Sequence, residues 1–205
     1  LKRRGYQPEA LRKYALKVGL SLNDKTVSKQ EFWKMVNAFN KEIVEKKANR
    51  YFVVVDPVEI TVNGAKSKEV KMDLHPDYPK RGARILSAKK KIIIANSDLK
   101  NLKEGKIHRL MDYCNFIVSK GKFNFVSDEY ESYKNAKNKG SIIHWLPAEE
   151  KLSVSVLLED GLVASGVGES ALSKLKKGTL VQLERMYFAR LDSVGKKLSF
   201  WYLHQ

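Results

Sequence analysis

The stretch Tyr51-Phe52-Val53-Val54-Val55-Asp56-Pro57-Val58-Glu59-Ile60-Thr61-Val62-Asn63-Gly64 decides how the rest of the chain is read. It is dominated by aromatic and β-branched residues, which suit a pleated surface better than a helix. Tyr51 to Val55 reads as one strand, closed by Asp56-Pro57, because proline lacks the amide hydrogen that a ladder needs. Glu59 to Val62 reads as a second strand. Asn63-Gly64 is the strongest hairpin signal in the chain, since the tightest turns ask for positive φ. Val70, Met72 and Leu74 alternate on the expected returning strand.

Upstream, the pattern changes to helical. Over residues 7–20, Pro8 suits the first helical position, Leu11, Tyr14, Ala15 and Val18 recur at helical spacing, and Gly19 suits the end. Ser28 and Glu31 have capping-box spacing, and Phe32, Val36, Phe39 and Ile43 form an apolar stripe up to about Lys47. The two stripes predict a small helical subdomain.

Downstream, short strands continue. His75 to Gly82 is a loop with two prolines. Strands are expected at Lys91–Ala95, Lys106–Met111, Asn115–Val118, Phe123–Val126, Ser141–Trp145 and Lys151–Leu158. Residues 127–140 are polar and expected as an exposed loop, and Ser170 to Lys177 as a short helix before Gly178. Thr179–Arg185, Tyr187–Asp192 and Leu198–Leu203 complete the strands, the last two joined at Val194-Gly195. Short strands at this spacing predict a barrel or sandwich rather than βαβ units.

Composition bounds the function. The 205 residues carry 39 Lys+Arg against 23 Asp+Glu, a formal net charge of +16. With 43% hydrophobic and 30% charged residues, the composition is that of an ordinary globular chain. No apolar run approaches the roughly 20 residues of a membrane span, and no signal-peptide pattern follows the charged start. One cysteine, Cys114, excludes an internal disulfide framework and a multi-cysteine zinc site, and points to a reducing, cytoplasmic compartment. Leu1 in place of Met predicts a fragment or a processed product. Residues 1–50 hold 13 basic and 5 acidic residues, and residues 51–110 hold 13 and 7, so the excess sits in the first half. Such a balance points to a polyanion.

Enzyme signatures are missing. The histidines His75, His108, His144 and His204 show no HExxH or paired spacing and are expected as surface or packing residues. Gly161 to Ser170 (GLVASGVGES) lacks the GK[ST] ending of a phosphate loop and is expected as a flexible connection. No metal site and no catalytic residue is expected. What remains is cationic side chains interleaved with planar hydrogen-bonding ones. Arg3, Arg4, Arg84, Lys89, Lys90, Lys91 and Lys106 suit phosphates, which carry no sequence information. Arg50, Arg109, Gln182 and Arg185 suit base edges of unstacked RNA.

Leu1 to Trp33 resembles the helical segment after the second catalytic motif of class I glutamyl- and glutaminyl-tRNA synthetases. Ala48-Asn49-Arg50-Tyr51-Phe52 followed by Val55-Asp56-Pro57-Val58 resembles the start of their anticodon-binding barrels. His75-Pro76, Arg81-Gly82, Arg109-Leu110-Met111-Asp112, Ile143-His144-Trp145, Gln182-Leu183-Glu184-Arg185 and Leu191-Asp192-Ser193 continue the likeness in order, and its details favour the archaeal-type glutamyl enzyme. The resemblance implies a mainly β fold with an N-terminal helical subdomain (1–49) and two β-barrels of the ribosomal L25-like type. The proximal barrel would take residues 50–62 and 148–205, and the distal barrel 63–147. It further implies that Arg50, Gln182 and Arg185 hold the flipped middle uridine of the anticodon and that Arg109 contacts its first nucleotide.

The partner implied is glutamate tRNA, and also glutamine tRNA where a parent enzyme charges both. The parent would ligate glutamate to tRNA with ATP and Mg²⁺. This chain, without His-x-Gly-His or Lys-x-Ser-Lys, would bind RNA and carry no cofactor. It departs from the family at Asp98 to Asn101, where Lys100 alone is basic among the expected third-position readers. It departs again at Met111-Asp112, which replace an Arg-Asn pair of the glutaminyl enzyme. The alternatives are a ribosomal-type or other RNA-binding β-barrel module and a basic protein-interaction or membrane-surface domain.

Overall fold

The computed structural model describes residues 1–19, 24–150 and 152–205. Helix α1 spans Pro8–Val18 and ends at Gly19 with φ 74°, so the expected last residue, Leu20, lies outside the described residues. Helix α2 spans Lys29–Val44, opened by the expected capping box: Ser28 Oγ accepts from the Glu31 amide at 3.1 Å, and the Glu31 carboxylate accepts from the Ser28 amide at 3.3 Å. Its buried line is Val36, Asn40 and Val44, while Phe32, Phe39 and Ile43 of the expected stripe are only half-buried. The displacement has a polar cause. The Asn40 amide accepts from the Gln7 amide at 2.8 Å and donates to His204 Nε2 at 2.9 Å, so a polar group sits fully satisfied in the core. Tyr6, Val36, Val44 and Ala48 pack on Phe188 and Leu203, which seats both helices on the first sheet.

The run expected as one strand, Tyr51 to Val55, is two: β1 (Asn49–Tyr51) and β2 (Val53–Val55), broken at Phe52. The chain then leaves for a second sheet through β3 (Pro57–Asn63), β4 (Lys68–Asp73), β5 (Ala83–Ala88), β6 (Lys91–Ala95) and the short helix α3 (Asn96–Asn101). It continues through β7 (Ile107–Leu110), β8 (Asn115–Ser119), β9 (Lys122–Ser127), helix α4 (Tyr130–Lys134), β10 (Lys139–Ile143) and β11 (Leu146–Pro147). It returns as β12 (Leu152–Leu157), β13 (Val163–Gly168), a 3₁₀ turn at Ser170–Lys174, β14 (Leu180–Leu183), β15 (Tyr187–Ser193) and β16 (Leu198–His204). Lys151, the expected start of the returning strand, lies outside the described residues.

The first sheet runs β1-β14-β15-β16-β12-β13-β2, and the second runs β10-β7-β8-β9-β3-β6-β11. In each, the two end strands are consecutive in the chain, so each sheet curls until its ends meet: at Phe52 in the first, at His144-Trp145 in the second. The fold is therefore mainly β with an N-terminal helical part. Separate cores fill the sheets, one around Trp145, Phe116 and Ile92, the other around Phe200, Leu183 and Val156.

Four expectations are corrected. Residues 57–62 were expected in the first barrel; β3 belongs to the second sheet, and the chain crosses at Asp56, which adopts φ 49°. Asn63-Gly64 turns the chain, with Gly64 at φ 83°, but β4 does not return along β3. Both edges of β3 are taken, by β6 and by β9, so β4 pairs with β5 instead. The expected loop at 127–140 contains α4, anchored by buried Tyr133, whose hydroxyl donates to the Gly140 carbonyl at 2.7 Å. The expected flexible connection GLVASGVGES contains strand β13, paired with both β12 and β2. Its glycines answer to packing: a Cβ on Gly166 would stand 2.1 Å from the Val54 carbonyl oxygen, and one on Gly168 would stand 2.6 Å from Leu172.

Candidate nucleic-acid interface

Strand β1 runs parallel to β14, with Arg50 opposite Gln182. Val181, Leu183 and Tyr51 point into the core, so the alternation of the pleat turns Arg50, Gln182 and Glu184 outward. Two side chains far apart in the chain thus share one register. The Arg50 guanidinium leans toward Glu184 at 3.5 Å, lining a cleft with Asp73, Arg84 and Asp112, and its Nε is buried without a partner. An unpaired buried N–H is costly.

Arg185 sits in the three-residue turn between β14 and β15, with φ 64°. The left-handed region costs an L-residue roughly 1 kcal/mol or more. Its Nη1 and Nη2 each donate to Asp98 of α3 at 2.9 Å, and Nη1 also contacts His144 Nδ1 at 3.0 Å. His144 Nε2 lies 2.8 Å from the Val53 carbonyl, which can only accept, so Nε2 carries the proton and Nδ1 accepts from Arg185. Burial, opposed by the hydrogen bond to the Val53 carbonyl and aided by the Arg185 charge, holds the His144 pKa below the usual imidazole range. Arg185 and Gln182 line one depression, together with Lys41, Met186 and Gln205. The corner that holds Gln182 and Arg185 therefore adjoins Arg50 on one side and the second sheet on the other.

Arg109 lies elsewhere, on β7 in the second sheet. It is 6% exposed, donates to Asn115 Oδ1 at 2.8 Å and to the Asp128 carbonyl at 3.3 Å, and lies under the exposed ring of Tyr130 at 5.4 Å. Its Nη1 is committed to protein, and the surface presented above it is an aromatic plate. Sequence reading missed Tyr130 because it falls in the stretch taken for a loop.

The expected phosphate-facing cations divide. Arg3 forms a bidentate pair with Asp192 at 2.8 and 2.7 Å over the Trp201 ring, with its side chain 64% exposed. Arg4 is committed to structure, donating to the carbonyls of Tyr202 and Leu203 at 3.0 Å, and so ties the N-terminal segment to β16. Lys89, Lys90 and Lys91 stand exposed at the β5–β6 turn. Lys89 pairs with Glu149 at 2.7 Å and Lys91 with Glu59 at 3.2 Å, surface pairs worth about 0.2–1 kcal/mol each and readily exchanged for phosphate. Lys106 is half-buried at the start of β7.

Arg84 is a correction. Expected among phosphate contacts, it is 6% exposed: its Nε donates to Glu169 Oε2 at 3.0 Å and its Nη1 to the Asp73 carbonyl at 2.9 Å. Glu169 Oε2 also accepts from the Phe52 amide at 2.9 Å, where the first sheet closes. Burial pushes the Glu169 carboxyl up to about 7, against the opposing pull of Arg84. Of the two expectations for the histidines, surface or packing, the structure shows packing. All four are at most 4% exposed, and each has a ring nitrogen bonded to a backbone group. Cys114 is fully buried, its thiol pushed up to about 12 by burial. Among the described residues, no group of His, Cys, Asp and Glu is arranged to hold a metal ion, and no helix is long and apolar enough to cross a membrane.

This arrangement of strands, register and outward planar side chains can be set beside known proteins. Residues 48–135 match the family model described as tRNA synthetases class I (E and Q), anti-codon binding domain, and residues 142–192 match a second model of the same description. The chain belongs to that anticodon-binding family. It is 38% identical over 206 residues to a glutamate–tRNA ligase of Methanobrevibacter smithii, which aligns with 99% of this chain. It is 39% identical over 205 residues to that of Methanothermobacter thermautotrophicus, and 39% identical over 215 residues to that of Pyrococcus furiosus. The chain spans only 35% of the first two relatives' length and 36% of the third's.

Proposed function

We propose that this chain is the anticodon-binding part of a glutamate–tRNA ligase and that it reads the middle anticodon uridine of glutamate tRNA with Arg50, Gln182 and Arg185. The observation that carries the reading is the register of β1 on β14, which sets Arg50 opposite Gln182 with Arg185 in the turn that follows β14. Uracil offers two carbonyl acceptors flanking an N–H. A Gln amide can both donate and accept, and arginine can only donate. Cytosine presents an amino group where uracil presents a carbonyl, so two donors would face each other and one would be left unpaired. The exposed Lys89, Lys90 and Lys91 and the half-buried Lys106 supply contacts to phosphate without regard to sequence.

The parent would ligate glutamate to tRNA with ATP and Mg²⁺ through residues outside this chain. Nothing in the 205 residues fits that chemistry, since neither His-x-Gly-His nor Lys-x-Ser-Lys occurs. Glutamine tRNA, which shares the middle uridine, is a second substrate in a parent that charges both. Binding of anticodon stem–loop RNAs that differ only at the middle base, uridine or cytidine, tests the reading. R185Q and Q182A should each remove about 1–3 kcal/mol of the preference for uridine. A preference unchanged in both variants overturns it.

A further inference from the structure

Arginine carries five N–H donors in a rigid plane. Three of those of Arg185 are spoken for: one on Nη1 and one on Nη2 go to Asp98, and the second on Nη1 goes to His144. The remaining two, on Nε and Nη2, lie side by side on the opposite edge of the guanidinium. No described residue accepts from them, and Arg185 borders the depression shared with Gln182. Both residues that take the other edge come from the second sheet. Asp98 is on α3, whose first residue is held by Asp56 through the Asn96 amide to the Asp56 carbonyl at 3.0 Å and Asn96 Nδ2 to Asp56 Oδ2 at 2.9 Å. His144 is at the seam of the second sheet and bonds back to Val53 of the first.

We infer that Asp98 and His144 are positioning residues that fix the Arg185 guanidinium plane and leave its Nε–Nη2 edge as a two-donor fork for a base carbonyl. The specificity of a reader on the first sheet is thereby set by side chains of the second. Without the pair, Arg185 would turn about its side-chain bonds and meet a uracil carbonyl or a phosphate with any of its donors. The attraction to RNA would persist while the preference for a carbonyl over an amino group would fall. This rests on the reading of Arg185 given above, and its test keeps the two apart.

The test uses the full chain and the same uridine and cytidine stem–loop RNAs, with thermal melting of each variant as a check on folding. D98N, which keeps the shape of the side chain, should lower the uridine-to-cytidine affinity ratio about tenfold, the scale of one good base contact. It should leave affinity for the cytidine RNA within about twofold of the parent's. H144Q, which lacks the Nδ1 acceptor, should lower the ratio less, about threefold, and serves where D98N melts early. The double variant D98N/R185Q should discriminate no worse than R185Q alone, since Asp98 acts only through Arg185. If R185Q loses the preference while D98N and H144Q keep it in full, the positioning role is overturned and the reader stands. If R185Q keeps the preference, both fall. If D98N tightens both RNAs equally, Asp98 competes for the guanidinium rather than aiming it, and the inference is overturned.

Discussion

Among the arginine–carboxylate pairs that join parts of this molecule distant in sequence, two do opposite things with the same chemistry. Arg84 and Glu169 lie 3.0 Å apart with side chains 4% and 0% exposed; Arg185 and Asp98 lie 2.9 Å apart with side chains 31% and 16% exposed. The first pair spends itself inward. Arg84 sits 5.1 Å from the centre of the Phe52 ring and donates to Glu169 and to the Asp73 carbonyl, while Glu169 takes the Phe52 amide at the seam of the first sheet. The second pair holds a guanidinium by one edge and leaves the other at the surface. Burial decides which: the desolvated pair has only protein groups to turn to, and even so one oxygen of Glu169, Oε1, is left without a partner, whereas a pair at the rim can keep donors for a ligand.

Breaking the buried pair should produce the largest effect. R84A leaves the Glu169 carboxylate without its cation and should cost about 3–5 kcal/mol of stability in urea unfolding, with little change in base preference per folded molecule. A loss below about 1 kcal/mol would erase the contrast. The pH dependence should follow the same residue. Because the folded chain holds the Glu169 carboxyl at about 7, above its ordinary value, its contribution is fully present below that ordinary value and is lost as pH rises through about 7. Stability measured between acid and mildly alkaline pH should therefore fall across this window in the parent and fall less in E169Q. G166A should come next, at about 1–3 kcal/mol, because its methyl meets a backbone carbonyl that cannot move without opening the β2–β13 pairing. D98N should change stability by about 1 kcal/mol or less, in keeping with a pair at the rim, while moving base discrimination. The smallest effect on stability should be that of K90A, whose signature is a shallower dependence of RNA affinity on salt, the same for uridine and cytidine RNAs.

The plan of helices followed by short strands was legible because its signals are local. The capping box at Ser28 and Glu31 and the β-rich run from Tyr51 need no distant partner to be read. Pairing was not legible. Asn63-Gly64 turns the chain as its residues dictate, but which strand lies beside β3 depends on β6 and β9, a question no tight turn can answer. Gly166 and Gly168 read as looseness and are strand positions where backbone and side chains approach closely, a distinction visible only once Val54 and Leu172 are beside them. Arg84 was misread for want of one observation. Arg84, Leu86 and Ala88 alternate on β5 and all face inward, so the arginine falls on an apolar face and must bring a carboxylate with it. Of the corner proposed to read the base, Gln182 and Arg185 are named by the family resemblance of the sequence. Asp98 and His144 are not, since the contact between Asp98 and Arg185 spans 87 positions of chain.

The order of the strands also fixes an order of assembly. Every strand of the second sheet lies within residues 57–147, whereas the first sheet pairs β1 with β14 and β12 with β16. During synthesis from the N-terminus, the inserted sheet is therefore complete while β1 and β2 still wait for partners not yet made. Pairings of such long separation are slow to form, and units of a chain fold as they emerge. The inserted sheet holds the far end of β2 in place until β13 arrives, and the first sheet closes last, with β16. A chain cut short before Leu198 would keep a well-formed second sheet, present the edges of β12 and β15 to other copies of itself, and leave β14 and the turn at Arg185 without the sheet that holds them, so loss of β16 should surface as aggregation together with weakened RNA binding.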